Sequence, residues 1–151
     1  MYEMLAAAAG AVYAGVLLSG PSEDDPDKPF SSVMLSVTAR PSELSNEHTV
    51  RWLSRTMGTL YPEAEVGVMM PDCGPAVVVT QDAEVPRPVN LLEGDPEPTT
   101  VRQLHIFVPV PNHLAMADFS LATENIDEWD DCLEFIGAVC KTIRFTHSAA
   151  A

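Results

Sequence analysis

The chain has 151 residues, an apolar fraction of 46% and a formal net charge of −14. The length suits one domain with a hydrophobic core, and the apolar fraction predicts a soluble globular protein. So large an excess of acids excludes favourable binding to nucleic acid backbones and to anionic lipid headgroups. It favours a basic protein partner, or it serves only to keep the protein in solution.

The first twenty residues, MYEMLAAAAGAVYAGVLLSG, are apolar enough to resemble an export signal. No Lys or Arg precedes the apolar run, however, and Glu3 stands where a signal peptide carries positive charge. Ala-rich sequence is also weakly hydrophobic for a membrane span. We therefore predict a short helix up to about Gly10, then a strand over 11–18, and no membrane insertion.

The cysteines Cys73, Cys132 and Cys140 form no C-x-x-C pair. Their odd number argues against a disulfide framework, and unpaired thiols are typical of a reducing compartment. The sequence therefore predicts a cytoplasmic protein.

An acidic, proline-containing loop over 19–29 precedes a predicted strand over 31–39, in which apolar and polar residues alternate. A helix is predicted over 42–60, because apolar residues recur there at helical spacing. The apolar positions of this stripe are Val50, Leu53, Met57 and Leu60.

Two short strands, 64–70 and 76–80, are predicted on either side of a turn that contains Cys73. A reactive thiol needs a cationic neighbour or a helix N-terminus, and the local sequence offers Asp72 instead. The following segment, 81–100, is predicted to be a long loop. It contains a small apolar group at Val89, Leu91 and Leu92, and we interpret it as a variable recognition segment.

Two further strands are predicted over 101–108 and 114–122, joined by a Pro-Asn turn. Their alternation places His105 and Asp118 on the same face, where they are candidate cross-strand neighbours. A His-Asp pair is a possible acid–base unit. The chain has no G-x-S-x-G nucleophile motif, so a structural pair is the favoured interpretation.

The clearest pattern predicts a helix over 125–143. Asn125 and Glu128 have the spacing of a capping box, and acids at the start with Lys141 near the end suit the helix dipole. The predicted apolar stripe is Ile126, Trp129, Leu133, Ile136, Cys140 and Ile143, with Cys132 away from its centre.

Together these elements predict an α+β fold: an antiparallel sheet of about five or six strands flanked by helices. The domain is predicted to span 1–147, followed by a tail over 148–151.

Two segments of the chain resemble the Mog1/PsbP-like superfamily, which includes actinobacterial lipoproteins of the LpqN type. They are AGAVYAGVLL, ending at Leu18, and HIFVPVPNHLAMADFSLATENIDEWDDCLEFIGAVCKTIRF at 105–145. The resemblance implies an α/β/α sandwich and a non-enzymatic binding role, and it supplies no catalytic residue. Many bacterial relatives are exported or lipid-anchored, whereas this sequence has no lipobox Cys.

The sequence contains no nucleotide-binding or zinc-binding motif, and no cofactor or metal is predicted. The leading hypothesis is a non-catalytic interaction module that binds a basic partner, as an adaptor, a secretion-associated chaperone-like factor or an assembly subunit. The predicted partner-binding residues are Asp127, Asp130, Asp131, Glu134, Leu91 and Leu92. Alternatives are an immunity protein that masks a toxin active site, and a small hydrolase that uses His105 and Asp118.

Overall fold

The computed structural model describes residues 11–28, 31–41, 47–85, 98–110 and 115–145. Its strands are β1 (Ala11–Ser19), β2 (Ser31–Pro41), β3 (Glu65–Met69), β4 (Ala76–Val85), β5 (Thr99–Pro109) and β6 (Ala115–Thr123). Its helices are α1 (Glu47–Leu60), a single 3₁₀ turn (Ile126–Glu128) and α2 (Trp129–Thr142). Within these residues the fold is α+β, as predicted.

The six strands form one antiparallel sheet in the order β1-β2-β6-β5-β4-β3. The β5–β6 pair lies at its centre, and β1 and β3 are its two edges. An antiparallel sheet of this kind needs only short connections between most neighbouring strands. The two strands predicted before the last helix, which are β5 and β6, are thus the two central strands of the sheet.

The two helices pack on opposite faces of the sheet. Helix α2 covers the face that carries the alternating apolar residues of β2, β5 and β6, and α1 covers part of the other face. The buried residues of the α2 side include Leu35, Leu104, Ile106, Val108, Phe119, Leu121, Cys132, Ile136, Cys140 and Ile143. On the α1 side, Val50 and Leu53 pack against Val77, Val79 and Phe107. Successive apolar residues of a strand such as β5 therefore point in turn into the α2-side core and the α1-side core.

The buried stripe of α2 agrees with the prediction at Ile136, Cys140 and Ile143 and differs from it at one place, where Cys132 is buried instead of Leu133. Cys132, Ile136 and Cys140 are 5%, 3% and 3% exposed, whereas Leu133 is 40% exposed. The buried residues recur every fourth position, and Leu133 is rotated from Cys132 by about 100° around the helix axis. In α1, Leu60 is likewise exposed rather than part of the core stripe.

The start of the last helix is fixed to the sheet and not by a capping box. Neither Asn125 nor Glu128 makes a side-chain cap hydrogen bond. Instead, Asn125 Oδ1 accepts a hydrogen bond from Ser32 N at 3.3 Å, and Asn125 N donates to Thr123 Oγ1 at 3.0 Å. Thr123 Oγ1 in turn donates to Ser32 O at 3.0 Å. These bonds connect the helix start to β2 across the end of β6.

The remaining differences concern element ends. β4 continues to Val85, into the segment predicted as a loop, and β5 begins at Thr99. Several predictions fall outside the described residues: the helix before Gly10, the helix start at 42–46, the apolar group with Leu91 and Leu92, and the tail.

The rotation of α2 predicts a sharp difference between two truncations. We expect Ile136→Ala to lower the free energy of unfolding by about 2–5 kcal/mol, because it leaves a cavity in the core. Leu133→Ala should cost no more than about 1 kcal/mol, because this residue is 40% exposed and lies outside the buried core. Urea unfolding of both variants measures this, and equal losses would contradict the observed rotation.

Candidate functional site

The predicted acidic surface lies at the start of the last helix. Asp127, Asp130, Asp131 and Glu134 are all exposed, on a 3₁₀ turn and two turns of α2 that pack on the sheet. The apolar residues Leu91 and Leu92, proposed with them, lie outside the described residues. The intervening Glu128 is engaged in an ion pair with Lys28 at 3.7 Å. The four exposed carboxylates, here called the acidic helix start, are therefore held on a rigid support.

A polar cavity of about 450 Å³ opens next to Trp129, the first residue of α2. Three carboxylates line it, from Glu63, Glu65 and Asp82, together with Arg102. These residues come from three separate parts of the sheet and its connections. A concave site of this volume with an aromatic wall and several charged groups is of the size that takes a side chain or small ligand.

Arg102 forms an ion pair with one of the three carboxylates in the cavity, Asp82, and it also interacts electrostatically with Glu65. Its Nε and Nη2 donate to the two Asp82 oxygens at 2.7 and 2.9 Å, and its guanidinium lies 5.5 Å from the Trp129 ring centre. These hydrogen bonds from Arg102 hold the pKa of Asp82 below its usual value. Glu63 and Glu65 are exposed and form no ion pair within the part of the chain that the structure describes. The cavity therefore keeps a net negative charge and an aromatic surface that favours cations.

On its other side, the helix start borders an apolar groove of about 250 Å³. Its apolar lining comes from Leu17 and Leu18 of β1, Val33 of β2, and Cys132 and Phe135 of α2. The charged residues Lys28, Glu128 and Asp131 also line it. The helix start thus lies between a negatively charged cavity and an apolar groove at the β1 edge.

The His105–Asp118 pair exists in the structure. His105 Nδ1 lies 3.1 and 3.2 Å from the two Asp118 oxygens, and the His105 ring is stacked on Phe107 with ring centres 5.6 Å apart. The two residues are diagonal neighbours, because His105 is directly opposite Ser120 and Asp118 is opposite Phe107. Asp118 is only 2% exposed, so His105 provides a hydrogen-bond partner for a buried carboxylate.

The sheet register also brings together two residues that the sequence analysis did not connect with His105. Ser120 lies directly across from His105, and its Oγ is 2.5 Å from Ser36 Oγ. Alternation places these residues on one face of the sheet, but only the register makes them neighbours. A serine nucleophile needs a hydrogen bond to its base, whereas the hydroxyl of Ser120 is bonded to Ser36. The arrangement is that of a partly buried polar network in the sheet.

The three cysteines are free thiols, two of them buried. Cys73 lies in a turn closed by a hydrogen bond from Gly74 N to Pro71 O, in which Gly74 has a φ of 126°. Burial raises the pKa of all three thiols, and Asp72 raises that of Cys73 further. The thiols are therefore protonated at neutral pH and poor nucleophiles.

Comparison of the chain with protein-family models, curated proteins and solved structures returns no match. The resemblance to Mog1/PsbP-like proteins therefore stays a prediction. Across the described ranges, no helix is both long and apolar enough to cross a membrane. In the same residues, no group of three or more His, Cys, Asp or Glu side chains is arranged to hold a metal ion.

Two polar side-chain pairs that involve β5 should differ in their effect on stability. His105→Ala removes a partner from a buried carboxylate, so we expect a loss of about 1–3 kcal/mol in the free energy of unfolding. Asp82→Ala breaks an exposed pair with Arg102, which is worth about 0.2–1 kcal/mol. Chemical denaturation at neutral pH tests this order, and a larger loss for Asp82→Ala would contradict it.

The raised thiol pKa values predict slow and ordered cysteine labelling. At pH 7 the native protein should react with iodoacetamide more slowly than a cysteine peptide, and first at Cys73. The rate should rise with pH because more thiolate forms as the pH approaches the raised pKa. Peptide mass mapping locates the label; labelling at Cys132 or Cys140 before Cys73 would contradict the buried positions.

Proposed function

We propose that this protein is a non-catalytic interaction module that binds a basic partner protein through the acidic helix start and the neighbouring polar cavity. The observation that carries the proposal is the continuity of the two features. Trp129 forms a wall of the cavity, and Asp127 and Asp130 flank it in sequence on an element fixed to the sheet.

The chemistry of the surface defines the partner. The exposed carboxylates attract Lys and Arg side chains and increase the rate of encounter. Within the cavity, Glu63 and Glu65 remain available for one guanidinium or ammonium group, next to the Trp129 ring. Arg102 already occupies such a position within the chain, bonded to Asp82 and close to Trp129. We expect a partner Arg or Lys to bind in the same way, with its charged group on the carboxylates of Glu63 and Glu65 and near the Trp129 ring.

The biological roles that fit such a module are an adaptor, a secretion-associated chaperone-like factor or an assembly subunit. The free thiols support a cytoplasmic location. An immunity protein that masks the basic active site of a toxin uses the same surface, and it is distinguished by a single tight partner that loses its activity in the complex.

The hydrolase alternative depends on His105 and Asp118, and its test is direct. If the protein hydrolyses an activated ester such as 4-nitrophenyl acetate, His105→Ala and Ser120→Ala should both abolish the activity. We expect the wild type to hydrolyse the ester no faster than the two variants do. The hydrogen bond that the structure shows for Ser120 joins it to Ser36 and not to His105.

Neutralising the acidic helix start should weaken binding to a basic probe more than neutralising another acidic segment. The variant is Asp130→Asn/Asp131→Asn/Glu134→Gln, and the probe is a labelled peptide of alternating Arg and Ala. Its matched control is Glu23→Gln/Asp24→Asn/Asp25→Asn, which removes the same number of charges from an exposed loop. Fluorescence anisotropy should show weaker binding for the helix variant, and an affinity that falls with salt because exposed charges are screened within about 8 Å at physiological ionic strength.

Equal loss of affinity in both variants would mean that only total charge matters. Affinity that is indifferent to salt and to all six substitutions would make the acidic surface a solubilising coat.

A further inference from the structure

The edge strand β1 differs from the rest of the surface. Its nine residues, AVYAGVLLS, contain no charged side chain. Four of its large apolar side chains are exposed: Tyr13 by 55%, Val16 by 56%, Leu17 by 46% and Leu18 by 79%. Met34, which lies directly opposite Val16 on β2, is also 50% exposed. Proteins usually protect an edge strand with charge, proline or short length, so an edge of this kind is a site for adding another strand.

The opposite edge of the sheet is shorter, carries a charge and exposes one large apolar side chain, Val68, by 59%. β3 has only five residues and begins with Glu65, and it contains Gly67. Other large apolar side chains are exposed, among them Leu60, Tyr61 and Met70, but of the two described edge strands only β1 combines four of them with the absence of charge.

We propose that β1 pairs antiparallel with β1 of a second copy of the chain, forming a symmetric dimer with one continuous sheet. Such an interface is self-complementary, since each residue pair occurs twice about the two-fold axis. In the register centred on Gly15, Tyr13 of one copy faces Leu17 of the other, and Ala14 faces Val16. Each of these cross-strand pairs then joins two uncharged side chains.

Charge identifies a second copy as the occupant. A basic partner gains nothing from β1, which carries no acid, whereas a chain of net charge −14 meets its own copy with least repulsion at an uncharged surface. Each β1 is followed by an acidic loop that contains Glu23, Asp24, Asp25 and Asp27. In the antiparallel register the two loops start about 27 Å apart, at roughly 3.4 Å per residue. This separation is several times the screening length of about 8 Å; parallel pairing would place the loops side by side.

The apolar groove supports the same arrangement. It lies beside Leu17 and Leu18, on the side of β1 that Leu17 shares with Val33. Tyr13 of the second copy, placed opposite Leu17, covers the open side of this groove. The proposal does not rest on the proposed function, because it is argued from β1; of the acidic helix start, Asp131 also lines the groove and would be partly covered in the dimer.

Sedimentation equilibrium of the full chain tests the dimer with a matched pair of variants. Val16→Lys places a charge on β1, and Val68→Lys places one on β3 at a side chain of similar exposure, 59% against 56%. We expect a dimer of the wild type and of Val68→Lys, and a dimer weakened by roughly tenfold or more in Val16→Lys. Circular dichroism and thermal unfolding check that both variants keep the fold.

A disulfide tests the register. In Tyr13→Cys/Leu17→Cys, residue 13 of one copy faces residue 17 of the other, so mild oxidation with oxidised glutathione should give a covalent dimer. Tyr13→Cys alone should not, because its two copies lie about 13 Å apart along the strands. A monomer of 16.3 kDa at every concentration overturns the proposal, as does a dimer that Val16→Lys leaves intact. Amide exchange at β1 then shows whether residues 1–10 or solvent cover the edge.

Discussion

The packing of α2 across the central strands is the interaction on which the rest of the molecule depends. Cys132, Ile136 and Cys140 lie on a sheet face formed by the alternating apolar residues of β5 and β6, among them Ile106 and Leu121. Because burying its apolar face fixes how α2 is rotated about its own axis, this packing also determines which α2 side chains point into solvent. It directs the carboxylates of the helix start into solvent and places Trp129 at the mouth of the polar cavity.

Hydrogen bonds at the end of the sheet complete this constraint. Asn125, Thr123 and Ser32 connect the helix start to β2 and β6, and the Lys28–Glu128 pair connects it to the loop after β1. The acidic residues next to these bonds lose little further conformational entropy when a partner binds, since their backbone is already fixed. The acidic loop after β1 has the same kind of charge on a turn, held by hydrogen bonds between Ser22 and Asp25, and not on a helix that packs on the sheet. That difference is the physical reason for assigning recognition to the helix start.

The sequence predicts the faces of the strands well, because a period of two leaves one choice of which residues are buried. It predicts the rotation of α2 less well: apolar residues at 132 and 133 are both compatible with helical spacing, and only the shape of the sheet selects Cys132. Asn125 has the chemistry of a cap, yet its side chain is used by Ser32 on a distant strand. The cavity could not be predicted, since its charged residues and Trp129 are brought together only by the fold. The same holds for His105 and Ser120, whose proximity follows from the β5–β6 register.

The central claim, that a basic group binds where the helix start meets the cavity, is tested most directly by the fluorescence of Trp129. The chain has two tryptophans, so Trp52→Phe on the exposed face of α1 leaves Trp129 as the single reporter. Titration with the Arg-Ala peptide should change its emission saturably, and Glu63→Gln/Glu65→Gln should reduce both the change and the affinity. Binding of the peptide, seen by its own label, with unchanged Trp129 emission and full affinity in the Glu63→Gln/Glu65→Gln variant would contradict the account.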